Sequence, residues 1–336
     1  MDDPFLSQTA TRYARFAEIE APGQSAIFEE WALGVASDAD VLALLAQLPI
    51  PKQQPNLFFA CSRLLGCPLG AYPEFREWVL ENWDAIAAQM LVRATQTNEP
   101  RRCALLVPPL GLIDGPIALL EVGASAGLCL YPDRYSYSYD GRRLDPAAGP
   151  SNVLLECETT GDPPIPNRMP EIAWRAGIDL NPLDLSNDDD VTWLETLVWP
   201  EQEARRERIR AAIDIVRADP PRIVRGDGID DLPALVAEAP PELTLVIVDS
   251  ASIVYMMPEP RARFIEYVSS LPGRWISNEG RGIVPSAAEK LPATGARALS
   301  EFVLALDGEP LAFTGAHGQR LDWLGLAKPI SEDPPR

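Results

Sequence analysis

The 336-residue chain holds 29 basic and 49 acidic residues, a formal charge of −20, with 46% hydrophobic and 23% charged residues. That length fits about two units of roughly 150 residues, and a field of that sign repels polyphosphates, which excludes nucleic acid as a general partner. No apolar stretch reaches the about 18 residues of a membrane span, and Met1-Asp2-Asp3-Pro4 is no signal-peptide start. A cytoplasmic location, without a membrane partner, is expected.

Residues from about 5 to 110 read as helical. Phe28, Trp31, Ala32 and Val35 keep a helical spacing, and Asp38 with Asp40 punctuates the gap before 41–48. Phe75, Val79, Trp83, Ile86 and Met90 form a second stripe, carried on to Val92. Gln96-Thr97-Asn98-Glu99-Pro100-Arg101-Arg102 then interrupts the pattern with a dense polar cluster. It is either a turn held by its own hydrogen bonds or a cap in which Gln96, Asn98 and Glu99 reach substrate or cofactor.

The texture changes at 117–122, a short apolar run that ends at glycine as a buried parallel strand does. Similar runs follow at 172–180, 222–225, 243–248 and 275–277, with helical candidates at 190–197, 201–216, 232–238 and 260–271. Strands alternating with helices predict an α/β fold with a mostly parallel sheet. At the end, 301–306 and 310–314 flank Asp307-Gly308, a hairpin signal that predicts an antiparallel strand on the sheet's edge. Tyr135, Tyr137 and Tyr139 alternate with serines up to Asp140-Gly141, and 153–157 can pair back, so about 133–168 reads as an inserted β-hairpin. The expected organisation is a helical cap unit over 1–112 and a cofactor-binding sheet domain over 113–330. Within the latter, Arg205, Arg206, Arg208 and Arg210 alternate with glutamates and read as a solvated helix face.

Five cysteines, Cys61, Cys67, Cys103, Cys129 and Cys157, form no C-x-x-C pair, and His317 is the single histidine. Buried thiols and no metal site are expected.

The strongest chemical signal is Glu121-Val122-Gly123-Ala124-Ser125-Ala126-Gly127, an acid at a strand end followed by a glycine turn. Glycine lets backbone approach a ligand closely, and amides opening the next helix would face that ligand, with Ser125 as a cap. Asp179 ends the next strand, where a carboxylate accepts hydrogen bonds from ribose hydroxyls. It lies far beyond the about 20 residues of a plain dinucleotide fingerprint, so the tyrosine hairpin must absorb the excess. Asp227-Gly228, Asp249 and Glu279 fall at the three strand ends that follow. Together these residues line one edge of a parallel sheet, where ligands bind in open α/β folds.

The order Glu121-x-Gly123-x-x-x-Gly127, then Asp179, then Gly226-Asp227 resembles class I S-adenosylmethionine-dependent methyltransferases, whose sheet also ends in an antiparallel hairpin strand. From about residue 20 to 325 the chain more closely resembles bacterial domain-of-unknown-function family 2332, through Gln54-Pro55-Asn56-Leu57, Thr95 to Glu99, Glu121 to Gly127, Gly177 to Asp184, Trp193 to Pro200, Gly226-Asp227 and His317-Gly318. Ser125 replaces the middle glycine usual in the methyltransferase turn. The broader resemblance implies a Rossmann-like, methyltransferase-type domain with S-adenosylmethionine as cofactor. Gly123 and Gly127 would line its methionine and ribose, Glu121 would orient its amino group, Asp179 would take the ribose hydroxyls, and Asp227 with Gly228 would border adenine. Methyl transfer mainly requires acceptor, methyl carbon and sulfur in line. Asp249, Glu279, His317 and Tyr255 are candidate bases for an acceptor that loses a proton. The expected function is methyl transfer to a small-molecule acceptor. The alternatives are a non-catalytic S-adenosylmethionine- or nucleotide-binding regulator, and a nucleotide-sugar or dinucleotide enzyme using the same sheet edge.

Overall fold

The computed structural model describes residues 4–291 and 302–325. Met1, Asp2 and Asp3, Glu301 of the expected terminal strand, and 326–330 of the expected sheet domain lie outside the described residues. Two compact units emerge, Met1–Thr97 with Ser186–Arg210, and Asn98–Leu185 with Ala211–Arg336. Residues 98–112, grouped with the helices by sequence, thus cluster with the sheet, and 186–210 with the helices.

The first unit is helical, with helices Pro4–Arg15, Ala26–Ser37, Ala39–Leu45, Pro55–Leu64, Tyr72–Val92 and Asp188–Thr196, and the start of Glu203–Ala218. Side-chain oxygens satisfy amides that open three of these helices. Ser25 Oγ accepts from Phe28 N at 3.1 Å, Asp38 Oδ1 from Asp40 N and Val41 N at 3.0 and 3.1 Å, and Asn187 Oδ1 from Asp189 N at 3.0 Å. The two predicted apolar stripes meet inside: Trp31 stacks on Phe75 with ring centroids 4.0 Å apart, and Phe28, Phe58 and Phe59 complete an aromatic core.

The second unit is built on one eleven-stranded mixed sheet in the order β3-β2-β4-β11-β10-β9-β8-β7-β1-β5-β6. The strands are β1 Ile117–Val122, β2 Ser136–Tyr139, β3 Arg142–Leu144, β4 Leu154–Thr160, β5 Ile172–Asp179, β6 Arg222–Arg225, β7 Thr244–Ser250, β8 Arg274–Gly280, β9 Phe302–Leu306, β10 Glu309–Thr314 and β11 Arg320–Trp323. β6, β5, β1, β7 and β8 are contiguous and parallel. All of β1 is buried, which is why it reads as an apolar run broken only by Glu121. From β1 the chain builds outward through β5 and β6, then returns to place β7 and β8 on the other side. The direction of winding therefore switches between β1 and β7, the place where open sheets bind ligands. Leu120, Val122, Ile178, Ile247 and Trp275 pack on one face with helices Leu232–Val236, Pro258–Ser270 and Pro285–Ala288.

Three expectations need correction. The connection after β1 contains no helix, only the 3₁₀ turn Leu128–Leu130, because the chain leaves at once for the far end of the sheet. The tyrosine strand β2 pairs antiparallel with β3, while β4, expected to close that hairpin, lies parallel on its other side. Asp140 and Gly141 both take positive φ, 48° and 88°, which closes a two-residue turn directly into β3. The Asp307-Gly308 hairpin forms as expected, with φ 53° and 75°, and β9 runs antiparallel to β8. It does not end the sheet, because β11 and β4 pair beyond it and leave β3 and β6 as edges.

Candidate functional site

Because β6, β5, β1, β7 and β8 are parallel, Gly226-Asp227, Asp179, Gly123, Asp249 and Glu279 all come to one edge of the sheet, its carboxyl edge. There the backbone turns sharply at β1. Gly123, Ser125 and Gly127 take φ of 82°, 52° and 75°. A Cβ on Gly123 would overlap Ser252 Cβ, since the loop after β7 lies directly against the turn. Ser252 fixes that loop, its hydroxyl donating to Val122 O at 2.8 Å.

Five of the six amides from Gly123 to Leu128 are occupied. Gly123 N and Ala124 N donate to Ile178 O at 2.9 and 3.2 Å, and Gly127 N to Ala124 O at 2.7 Å. Ser125 N donates to Asp179 Oδ2 and Leu128 N to Asn98 Oδ1, each at 2.8 Å. Two side-chain oxygens, by contrast, are left over: Glu121 Oε2 and Ser125 Oγ are buried without a hydrogen-bond partner. Burial pushes the Glu121 carboxyl well up, with Cys129 and Asp179 adding and Arg102 opposing.

Asp179 ties two strand ends together, its other oxygen accepting from Asn181 N at 2.8 Å, so it caps both turns. Asp227 does likewise for its own turn, Oδ1 accepting from Ile229 N at 2.8 Å and Asp230 N at 3.2 Å. Next to it, Gly228 fits closely against Val122 and Met256; an added Cβ would stand 3.0 and 3.1 Å from their side-chain carbons. The ends of β1, β6 and β7 thereby converge.

Asp249 and Glu279 lie under this edge rather than on it, only 0% and 1% exposed. Asp249 Oδ1 accepts from Trp275 Nε1 at 2.6 Å, and Glu279 Oε1 from Ser252 N and Ile253 N at 2.7 and 3.0 Å. Their remaining oxygens have no donor if both groups are ionised. A proton held between the two carboxyls would satisfy both. Burial raises both pKa values: Glu279 adds to the rise at Asp249, while the Ser252 and Ile253 amides and Arg102 oppose it at Glu279. Neither presents surface to an acceptor molecule, so the expected general-base role does not suit them.

The polar cluster before residue 103 proves to be a hub. Besides Asn98, Glu99 accepts from Arg101 N at 3.0 Å and, through its carbonyl, from the Cys129 thiol at 3.3 Å. Arg102, missed as a site residue, is buried, with Nη1 on Ser250 O and Nε on Ala316 O, both at 3.0 Å. Its signal in the sequence was only its place in that cluster. Gln96 falls in the helical unit instead. His317 lies in the turn after β10, where its carbonyl accepts from Arg101 Nε at 3.1 Å. Tyr255 stands 74% exposed on the loop after β7. Ser250, Asn278 and Thr314 form a further buried chain, Thr314 Oγ1 to Asn278 Oδ1 at 2.6 Å and Asn278 Nδ2 to Ser250 Oγ at 3.0 Å. The five cysteines are free and buried. Among the described residues no group of three or more His, Cys, Asp or Glu could hold a metal, and no helix is long and apolar enough to cross a membrane.

A family model described as "Uncharacterized protein conserved in bacteria (DUF2332)" matches residues 10–323, and the chain belongs to that family. No curated protein and no solved structure matches it.

Proposed function

We propose that the sheet unit is a Rossmann-like domain that binds S-adenosylmethionine over the β1 turn and serves methyl transfer to a small-molecule acceptor. The observation that carries this reading is the pair of buried, unpartnered oxygens, Glu121 Oε2 and Ser125 Oγ, at a turn most of whose amides are already bonded. Such a site favours a ligand that brings donors and positive charge. It offers few free amides to a diphosphate, which binds amides at a helix N-terminus, and this favours the sulfur nucleoside over the dinucleotide and nucleotide-sugar alternatives. Glu121 would receive the ligand's ammonium, and Asp179 has acceptor capacity left for ribose hydroxyls. Leu180, Val254 and Met257, 71%, 41% and 71% exposed on loops of the same edge, offer apolar surface to a base or acceptor.

When bound, the cofactor supplies an electrophilic methyl group, so the chain's task is alignment and removal of water. Of the residues nominated as bases, Tyr255 and His317 have open surface, whereas Asp249 and Glu279 do not. A non-catalytic regulator would use the same turn, and turnover with a supplied acceptor separates the two. Calorimetry with S-adenosylmethionine, S-adenosylhomocysteine and NAD tests the binding claim. Binding of both sulfur nucleosides without NAD is expected; NAD binding, or binding of none, removes the proposal.

A further inference from the structure

The helical unit has a cavity of about 210 Å³ lined by Arg63, Thr192, Glu195, Thr196, Arg206 and Arg210. Arg63 is half-buried in helix Pro55–Leu64. Its Nη1 donates to Thr196 O at 2.9 Å and Val198 O at 2.6 Å, and its guanidinium carbon lies 5.9 Å from the Phe28 ring centroid. These hydrogen bonds use one nitrogen. The Nε–Nη2 edge, the flat fork that grips a carboxylate or phosphate with two parallel bonds, has no protein acceptor among the described residues. Burial, followed by the nearby Arg206, pulls the Arg63 pKa down to about 10, with Glu201 opposing.

Capping a helix end does not explain the rest of this arrangement. Carbonyls at a C-terminus are served by any cation, but here Arg206 is brought close enough to repel Arg63. Arg206 bonds Glu203, and Arg210 bonds Glu195 at 2.7 Å, so the carboxylates lining or flanking the cavity are engaged by other arginines. Three guanidinium groups thus share a cavity wall with a single carboxylate, Glu195, in a chain whose formal charge is −20.

We propose that this cavity is an oxyanion site, taking the phosphate or carboxylate group of a small molecule on the Nε–Nη2 edge of Arg63 with Arg206 beside it. The site belongs to the helical unit and is independent of cofactor binding at the sheet. The test is calorimetry of the full chain with inorganic phosphate, and separately acetate, against chloride at matched ionic strength. Saturable binding of phosphate or acetate is expected, and whichever binds more tightly names the source. Arg63→Gln and Arg206→Gln should each weaken it by roughly tenfold or more, while Arg263→Gln, remote on the other unit, leaves it unchanged. If Arg63→Gln fails to fold by circular dichroism, Arg206→Gln carries the test, since its side chain caps no helix. Absence of saturable binding by either anion, or undiminished binding to Arg206→Gln, overturns the proposal.

Discussion

Two sets of buried carboxyls lie at the carboxyl edge of one sheet, and they have opposite surroundings. Asp249 and Glu279 share their surroundings: an indole N–H and two backbone amides bond one oxygen of each, and a proton between their other oxygens would close the pair. Glu121 has an oxygen with no donor, beside a serine hydroxyl in the same condition. A buried polar group left unpaired costs about 1–3 kcal/mol, so a native fold keeps one where something else supplies the partner. Carboxylates at strand ends therefore mark two different things, a closed structural pair and an open acceptor. Only their hydrogen bonds distinguish them.

Breaking the closed pair should have the largest effect. Glu279→Ala removes the acceptor of Ser252 N and Ile253 N and leaves Asp249 without its partner, so a loss of about 3–5 kcal/mol in urea unfolding is expected. Asp249→Asn should be mild, because its amide can donate to Glu279 as the shared proton does. The pair also fixes a pH dependence. Its folded-state pKa is raised, so above the unfolded carboxylate range near pH 4 the native state holds more protons than the unfolded chain. Stability from the pair is therefore full at acid pH and declines as pH rises toward the folded value. Melting temperatures of the parent should fall relative to Asp249→Asn as pH rises above about 5. Parallel curves for the two proteins would mean that no proton is shared.

A smaller loss is expected at the turn. Gly123→Ala must hold φ near 82° and displace Ser252, and about 1–3 kcal/mol of destabilisation should follow. The same variant should bind the sulfur nucleosides more weakly, because the loop after β7 would be pushed from the turn.

Much of this was legible in the sequence where local pattern and tertiary role coincide. The run 117–122 is β1 because a strand buried on both faces is apolar at nearly every position, here all but Glu121, and Asp307-Gly308 is a turn because both residues tolerate positive φ. The same rule misplaced β4, since nothing in 153–157 says whether its partner lies before or after it in the sheet. The path after Gly127 was also hidden: a glycine turn predicts a sharp bend, not whether a helix follows. Roles at the site were the least legible. Asp179, Asp227 and Asp249 are alike as letters after a strand, yet one bridges two turns, one caps its own and one lies in the dry interior. Arg102 looked like part of a polar loop because its burial depends on β7 and the turn after β10, far away in sequence.

The smallest effect on folding is expected at the residue on which the proposed function depends most. Burial holds Glu121 largely protonated, so replacing it with the neutral isostere should change unfolding by less than about 1 kcal/mol, or stabilise slightly. Ligand binding should respond in the opposite way. A cationic ligand favours the ionised carboxyl, so binding to the parent must expel a proton, and affinity should rise with pH until the free-form pKa is passed. Calorimetry in two buffers of different ionisation enthalpy reads that proton directly. In Glu121→Gln the proton release should vanish, and S-adenosylmethionine affinity should fall by roughly ten- to a hundred-fold, the value of one charge-assisted hydrogen bond. An unchanged affinity with no proton release in the parent would place Glu121 with Asp249 and Glu279, as a structural acid whose partner is the protein itself.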